Sequence, residues 1–196
     1  MDKKIEDTPN VSEKIPDILE EQMIYLEKLD FHNLSFEEKE VIYRYMTRRS
    51  MSINKGLRTS EGKTLCEDAT ALLKGLNKIP NSQVQYVYRG IPIYNDHLKT
   101  HIDIQRYKNA YENQSPIVEY AFTSTSKNEN TAIGFTWGVD GIIFKIEHKY
   151  GKDVSKLKSY KSGEDEVLLA CNSKFIVTSI KEQGRFTRID LVEVDK

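Results

Sequence analysis

"SQVQYVYRGIPIY", Ser82 to Tyr94, is where the chain changes its period. Its residues alternate and favour β-structure, and in an extended chain such alternation sends successive side chains to opposite faces. Before it the spacing is helical. "PDILEEQMIYLEKL" (16–29) sets Ile18, Leu19, Met23, Leu26 and Leu29 on one stripe, with Pro16 acceptable near a first turn. "SFEEKEVIYRYMTRRS" (35–50) opens with Ser35 and Glu38 in the S-x-x-E capping-box pattern. From Met51 the chain reads as a short loop region, then as a helix over about Thr64 to Asn77, with Pro80 as the stop. Beyond Tyr94, "DHLKTHIDIQRYKNAYEN" (96–113) predicts a helix or a lid-like loop and "KNENTAIGFTW" (127–137) one short helix. Strands are expected at "IVEYAFTSTS" (117–126), "GIIFKIEHK" (141–149), "DEVLLA" (165–170), "KFIVTSIKEQG" (174–184) and "RFTRIDLVEV" (185–194). Helices first and strands later, with few βαβ alternations, make an α+β fold. The expected organisation is one domain over 1–196, with a mainly helical lobe over 1–80 and a β-rich core over 81–196.

Charge excludes several classes of partner. Lys and Arg total 29 against 30 Asp and Glu, and the basic residues are scattered. No basic patch selects nucleic acid or an anionic membrane. The first residues carry no apolar run of signal-peptide length, and no window approaches a membrane span, so a protein without Sec export is expected, either cytoplasmic or delivered into a host cytoplasm. Cys66 and Cys171 are expected to remain free thiols. His97 and His101 stand four apart without a third ligand, so no metal site is expected.

Three short strings in the strand-rich half carry the chemistry: "YVYRG" with Arg89, "FTSTS" with Ser124, and "GEDEVLL" with Glu164 and Glu166. Alone, each has a plain structural reading, as a surface ion pair, a turn and a charged strand edge. In this order they resemble the R-S-E signature of mono-ADP-ribosyltransferases, in the form that ends on Glu-x-Glu. "YMTRRSMSINKGLR", Tyr45 to Arg58, is similar to the Tyr…Ile-Asn…Leu-Arg segment that precedes the NAD cleft in bacterial toxin-type members, and Phe135 sits where the family has an aromatic beside the nicotinamide. The resemblance covers about residues 40–196. Two features depart from it: Ser50 or a neighbour stands where a second tyrosine often precedes Ile-Asn, and Thr136, Trp137 and Gly138 stand where many members have a basic residue.

The resemblance implies a helical N-terminal lobe packed on two roughly perpendicular antiparallel β-sheets, with NAD, consumed as a substrate, in the cleft between them. It also implies roles. Glu166 meets the positive charge that develops on the ribose as nicotinamide leaves, Ser124 holds Glu166 in its rotamer, and Arg89 anchors the pyrophosphate or its ribose. Gly90 lets ligand approach the backbone, and Tyr45, Asn54, Arg58, Ser124 and Phe135 complete the NAD contacts. Glu164 lies one pleat from Glu166 on the same face, roughly 7 Å away in an extended strand. There it would orient an acceptor guanidinium and take its proton.

Glu-x-Glu thus implies arginine side chains of a target protein as acceptors, with Tyr160 and Lys161 as candidate target contacts. An NAD glycohydrolase on the same scaffold and a non-catalytic module retaining the cleft are the alternatives. A phage-encoded enzyme, an injected effector and the enzymatic component of a toxin all fit such a chain. The absence of G-x-G-x-x-G argues against hydride transfer, and with no G-x-S-x-G elbow a serine hydrolase has little support.

Overall fold

The computed structural model describes residues 20–93, 103–158 and 165–195. Ile18, Leu19, His97, His101, Tyr160, Lys161 and Glu164, all named above, lie outside the described residues.

Four helices build the N-terminal lobe: α1 (Glu20–Lys28), α2 (Phe36–Arg44), α3 (Ser50–Thr59) and α4 (Glu67–Lys78). The capping box forms as its pattern predicts, with the Ser35 hydroxyl accepting the Glu38 N–H while the Glu38 carboxylate accepts the Ser35 N–H at 3.0 Å. The loop expected from Met51 is instead helix α3. Ile53, Asn54 and Leu57 bury one side of it, and that stripe outweighs the weak helix preference of Gly56 and the serines. A single π-helical turn, Tyr45–Arg49, joins α2 to α3, so the chain stays helical from Phe36 to Thr59. Such a turn inserts an extra residue and changes which side chains share a face on its two sides.

The remainder supplies strands β1 (Tyr86–Pro92), β2 (Ile117–Glu119), β3 (Thr123–Ser126), β4 (Gly141–Glu147), β5 (Lys152–Asp153), β6 (Glu166–Leu169), β7 (Ser173–Gln183) and β8 (Phe186–Val194), with helices α5 (Ile104–Glu112) and α6 (Glu129–Gly134) between them. The α+β class and the helical lobe agree with expectation. The two separate antiparallel sheets are corrected to one continuous order, β2-β7-β8-β4-β1-β3-β6-β5. β4 and β8 pair in parallel, with Gly141 opposite Phe186, because the intervening strands give the chain length enough to return in the same direction. A trace of the expected division survives: β1 meets β3 through one register pair, Tyr88 with Ser126, while β1 meets β4 along its whole length.

"IVEYAFTSTS" is two strands, not one. Ile117–Glu119 pairs with β7, whereas Thr123–Ser126 pairs with β6. Between them Ala121 and Phe122 turn into the helical lobe, where both are fully buried with Leu57, Leu72 and Leu168. β6 is buried on both faces: Leu168 joins that core, while Val167 and Leu169 join a second one with Phe144, Phe175 and Ile189. Period-two alternation therefore puts Glu166 on the same face as Leu168, toward the helical lobe.

Candidate active site

A cleft of about 270 Å³ opens where the helices meet β1, β3 and β6. Arg89 and Gly90 reach it from β1, Ser124 and Ser126 from β3, and Glu166 from the first position of β6. Tyr45 comes from the π turn and Asn54 from α3, while Phe135 follows the last turn of α6. Of the cofactor-contact residues expected from the sequence, Arg58 alone is absent from the lining. It is exposed near the end of α3, and partial desolvation together with the nearby Arg89 charge lowers its guanidinium pKa.

Tyr45 and Asn54 form the rear wall. The Tyr45 hydroxyl donates to the Phe122 carbonyl at 3.3 Å and accepts from the Asn54 amide at 3.0 Å. Burial pushes the phenol pKa up, and bonds from Asn54 and Ser124 oppose that rise. The Asn54 amide also donates to Phe122 O, but its Oδ1 is buried with no partner. A buried acceptor of that kind is costly unless something donates to it, so it fits a ligand hydroxyl or amide.

On the front wall Arg89 donates to the Ser124 carbonyl at 3.0 Å, which ties β1 to β3 and fixes the guanidinium fork at the cleft. Gly90 has a cause that sequence reasoning did not find. A Cβ there would lie 1.7 Å from the Ala132 carbonyl oxygen, so glycine is what lets α6 sit against β1 and carry Phe135 to the cleft. Phe135 is half exposed, its ring available for stacking.

Glu166 is 6% exposed, and Ser126 stands directly across from it in the ladder. Ser124 stands two positions along β3, opposite Leu168. The ion-pair partner of the Glu166 carboxylate is Lys158, with Nζ 3.0 Å from Oε2 and both side chains largely buried. Lys158 was missed in the sequence because it lies eight residues upstream in no recognisable string, just beyond the 3-10 turn Ser155–Leu157. Among the described residues no group of three His, Cys, Asp or Glu side chains is placed to hold a metal ion, and no helix is long and apolar enough to cross a membrane.

An Arg, a Ser and a Glu on adjoining strands thus share one cleft, walled by a Tyr and an Asn from the helical lobe. The family model described as ADP-ribosyltransferase exoenzyme matches residues 20–194, and the chain belongs to that family. Solved structures agree on the fold. Vis from Vibrio splendidus, in complex with agmatine, is 22% identical, with a TM-score of 0.63 over 96% of this chain and 88% of that one. HopU1 of Pseudomonas syringae pv. Tomato DC3000 is 22% identical, with a TM-score of 0.66 over 83% and 78%. Exoenzyme S from Pseudomonas aeruginosa, in complex with human 14-3-3 protein beta and bound to carba-NAD, is 18% identical, with a TM-score of 0.62 over 89% and 88%. No curated protein matches the chain.

Proposed function

We propose that the protein transfers ADP-ribose from NAD to arginine side chains of a target protein, with release of nicotinamide. The observation that carries this reading is the convergence of Arg89, Ser124, Glu166, Asn54 and Phe135, from five separate elements, on one cleft. Arg89 presents a planar fork suited to phosphate. The Phe135 ring stacks on the nicotinamide, and the unpartnered Asn54 Oδ1 accepts from the ligand. Glu166, itself 6% exposed, accepts from a ribose hydroxyl and offers its carboxylate where positive charge develops as the glycosidic bond lengthens. The fit to NAD is supported by exoenzyme S, which was crystallised with carba-NAD.

Arginine as acceptor rests on Glu164, two residues before Glu166 in the sequence and outside the described residues. A guanidinium is protonated at neutral pH and a poor nucleophile, so a carboxylate that orients it and receives its proton is what the reaction needs. The complex of Vis with agmatine, a guanidino compound, supports the same acceptor class. The whole chain, 1–196, acts as one ADP-ribosyltransferase unit on proteins of another cell, as a toxin or effector.

The test incubates purified protein with labelled NAD and cell lysate beside the E164Q and E166Q variants, and maps the modified residues by mass spectrometry. Arginine label lost in both variants, with residual NAD hydrolysis kept by E164Q alone, is the expected result. Free ADP-ribose without protein label identifies a glycohydrolase instead.

A further inference from the structure

We infer that Lys158 is a substrate-binding residue whose pair with Glu166 belongs to the empty cleft: when NAD enters, the ammonium exchanges the carboxylate for the pyrophosphate and leaves Glu166 to the ribose. The inference rests on the NAD reading above and adds a residue to it.

Three observations carry it. Lys158 and Glu166 both line the cleft and lie 3.0 Å apart, each largely withdrawn from water. Among the described residues, the charged side chains lining the cleft are Arg89, Lys158 and Glu166, a net charge of +1. NAD carries two phosphate charges and one pyridinium charge, so these three side chains balance it only if Lys158 is counted. The third observation is the stretch after Phe135, where Thr136, Trp137 and Gly138 bring no cation, while Arg58 stands outside the lining. Arg89 is then the one guanidinium on the cleft among the described residues, and one fork does not match two phosphates.

The exchange leaves neither buried ion without a partner. A lysine side chain is a flexible stem carrying a compact charge with three donors, so it can change partner by rotamer alone, which a planar guanidinium held by a backbone carbonyl does not do. Lys158 has a second reason to leave. An ammonium held against Glu166 cancels the field that the carboxylate must apply to the ribose, so the pair as it stands in the empty cleft opposes bond cleavage. Binding of the pyrophosphate thereby removes an inhibitory charge from the reacting centre, and NAD pre-organises its own cleavage.

The test measures ADP binding by calorimetry for wild type, K158M, E166Q and K158M/E166Q, with wild-type binding of NAD as the reference. ADP holds the two phosphates and lacks the ribose that Glu166 contacts. Loss of a charge-assisted phosphate bond weakens ADP binding by about tenfold to a hundredfold in K158M. E166Q, with Lys158 released, binds ADP more tightly than wild type, and the double variant matches K158M. Should K158M leave Glu166 uncompensated and fail to fold, the comparison of E166Q with the double variant carries the same information without an unpaired charge. Equal ADP affinity in all variants while wild type binds NAD overturns the role of Lys158 and leaves the transferase reading standing. Wild type that binds neither ligand overturns the NAD reading itself.

Discussion

Gly90→Ala tests how the cleft is built. The new methyl carbon would sit 1.7 Å from the Ala132 carbonyl oxygen and 2.6 Å from its carbon, and both are backbone atoms of α6. Non-bonded contacts of a Cβ below 3.0 Å essentially never occur, so α6 and β1 must separate by about 1.3 Å. No side-chain rotation relieves the clash. Overpacking against backbone should cost about 3 kcal/mol, at the upper end of the usual range, which for a domain of this size lowers Tm by about 6–12 °C. Phe135 rides on the end of α6 and Arg89 adjoins Gly90, so a displacement of this size should also cut NAD cleavage by about a hundredfold. Gly134→Ala is the control: it lies on the same helix, meets nothing within 4 Å, and should stay within about 1 kcal/mol of wild type. Melting by circular dichroism and nicotinamide release measure both effects. A G90A protein that melts within about 2 °C of wild type and keeps its activity refutes the claim that α6 rests on β1 at this glycine.

Other positions give independent tests. Glu193 is 1% exposed and accepts from the Lys149 and Tyr150 N–H groups at 2.8 and 3.0 Å and from the Ser173 hydroxyl at 3.0 Å, so E193Q, which turns an amide toward these donors, should lose about 2–4 kcal/mol in urea unfolding. Tyr45→Phe removes the Asn54–Tyr45–Phe122 bridge and should cost about 1 kcal/mol of stability, with weaker affinity for NAD because Asn54 keeps only its bond to the Phe122 carbonyl. Burial lowers the His148 pKa from its ordinary 6.5, with Glu193 acting the other way, so the unfolded chain binds the proton first. The stability that this His contributes is complete above about pH 6.5 and is lost as pH falls through the lowered folded value. H148N, which keeps an acceptor for the Gly151 N–H, should flatten the fall in Tm between pH 7.5 and pH 5.

Legibility in the sequence followed the range of the interactions involved. The Ser35 capping box closes within four residues, and a four-residue pattern reports it. Strands β7 and β8 were readable because burial of one face imposes alternation locally, and β4 because its aliphatic and aromatic residues favour β-structure. Helix α3 was misread as loop because its glycine and serines weigh on local propensity, while the reason it is helical, burial of Ile53 and Leu57 under Phe122, comes from residues far along the chain. The division of "IVEYAFTSTS" has the same origin, since its halves answer to different partner strands. In the site, Arg89, Ser124 and Glu166 stand in strings recognisable in order. Lys158 is defined only by where its ammonium ends up and leaves no mark on its neighbours, while Gly90 stands in the recognisable string but its packing answers to a carbonyl forty-two residues on.

The single Tyr88–Ser126 register pair has a mechanical meaning. Arg89 stands on the five-strand side of that junction and Glu166 on the three-strand side, so a dinucleotide bound as proposed would span a seam that the ladder itself stitches once. The substrate then works as a crossbeam. On the proposed reaction its binding would stiffen the molecule along the line where backbone pairing is thinnest, and release of nicotinamide with transfer of ADP-ribose to the acceptor would let that line relax. Amide exchange at Tyr88 and Ser126 should slow on addition of NAD more than exchange at the other six positions of the β1–β4 register.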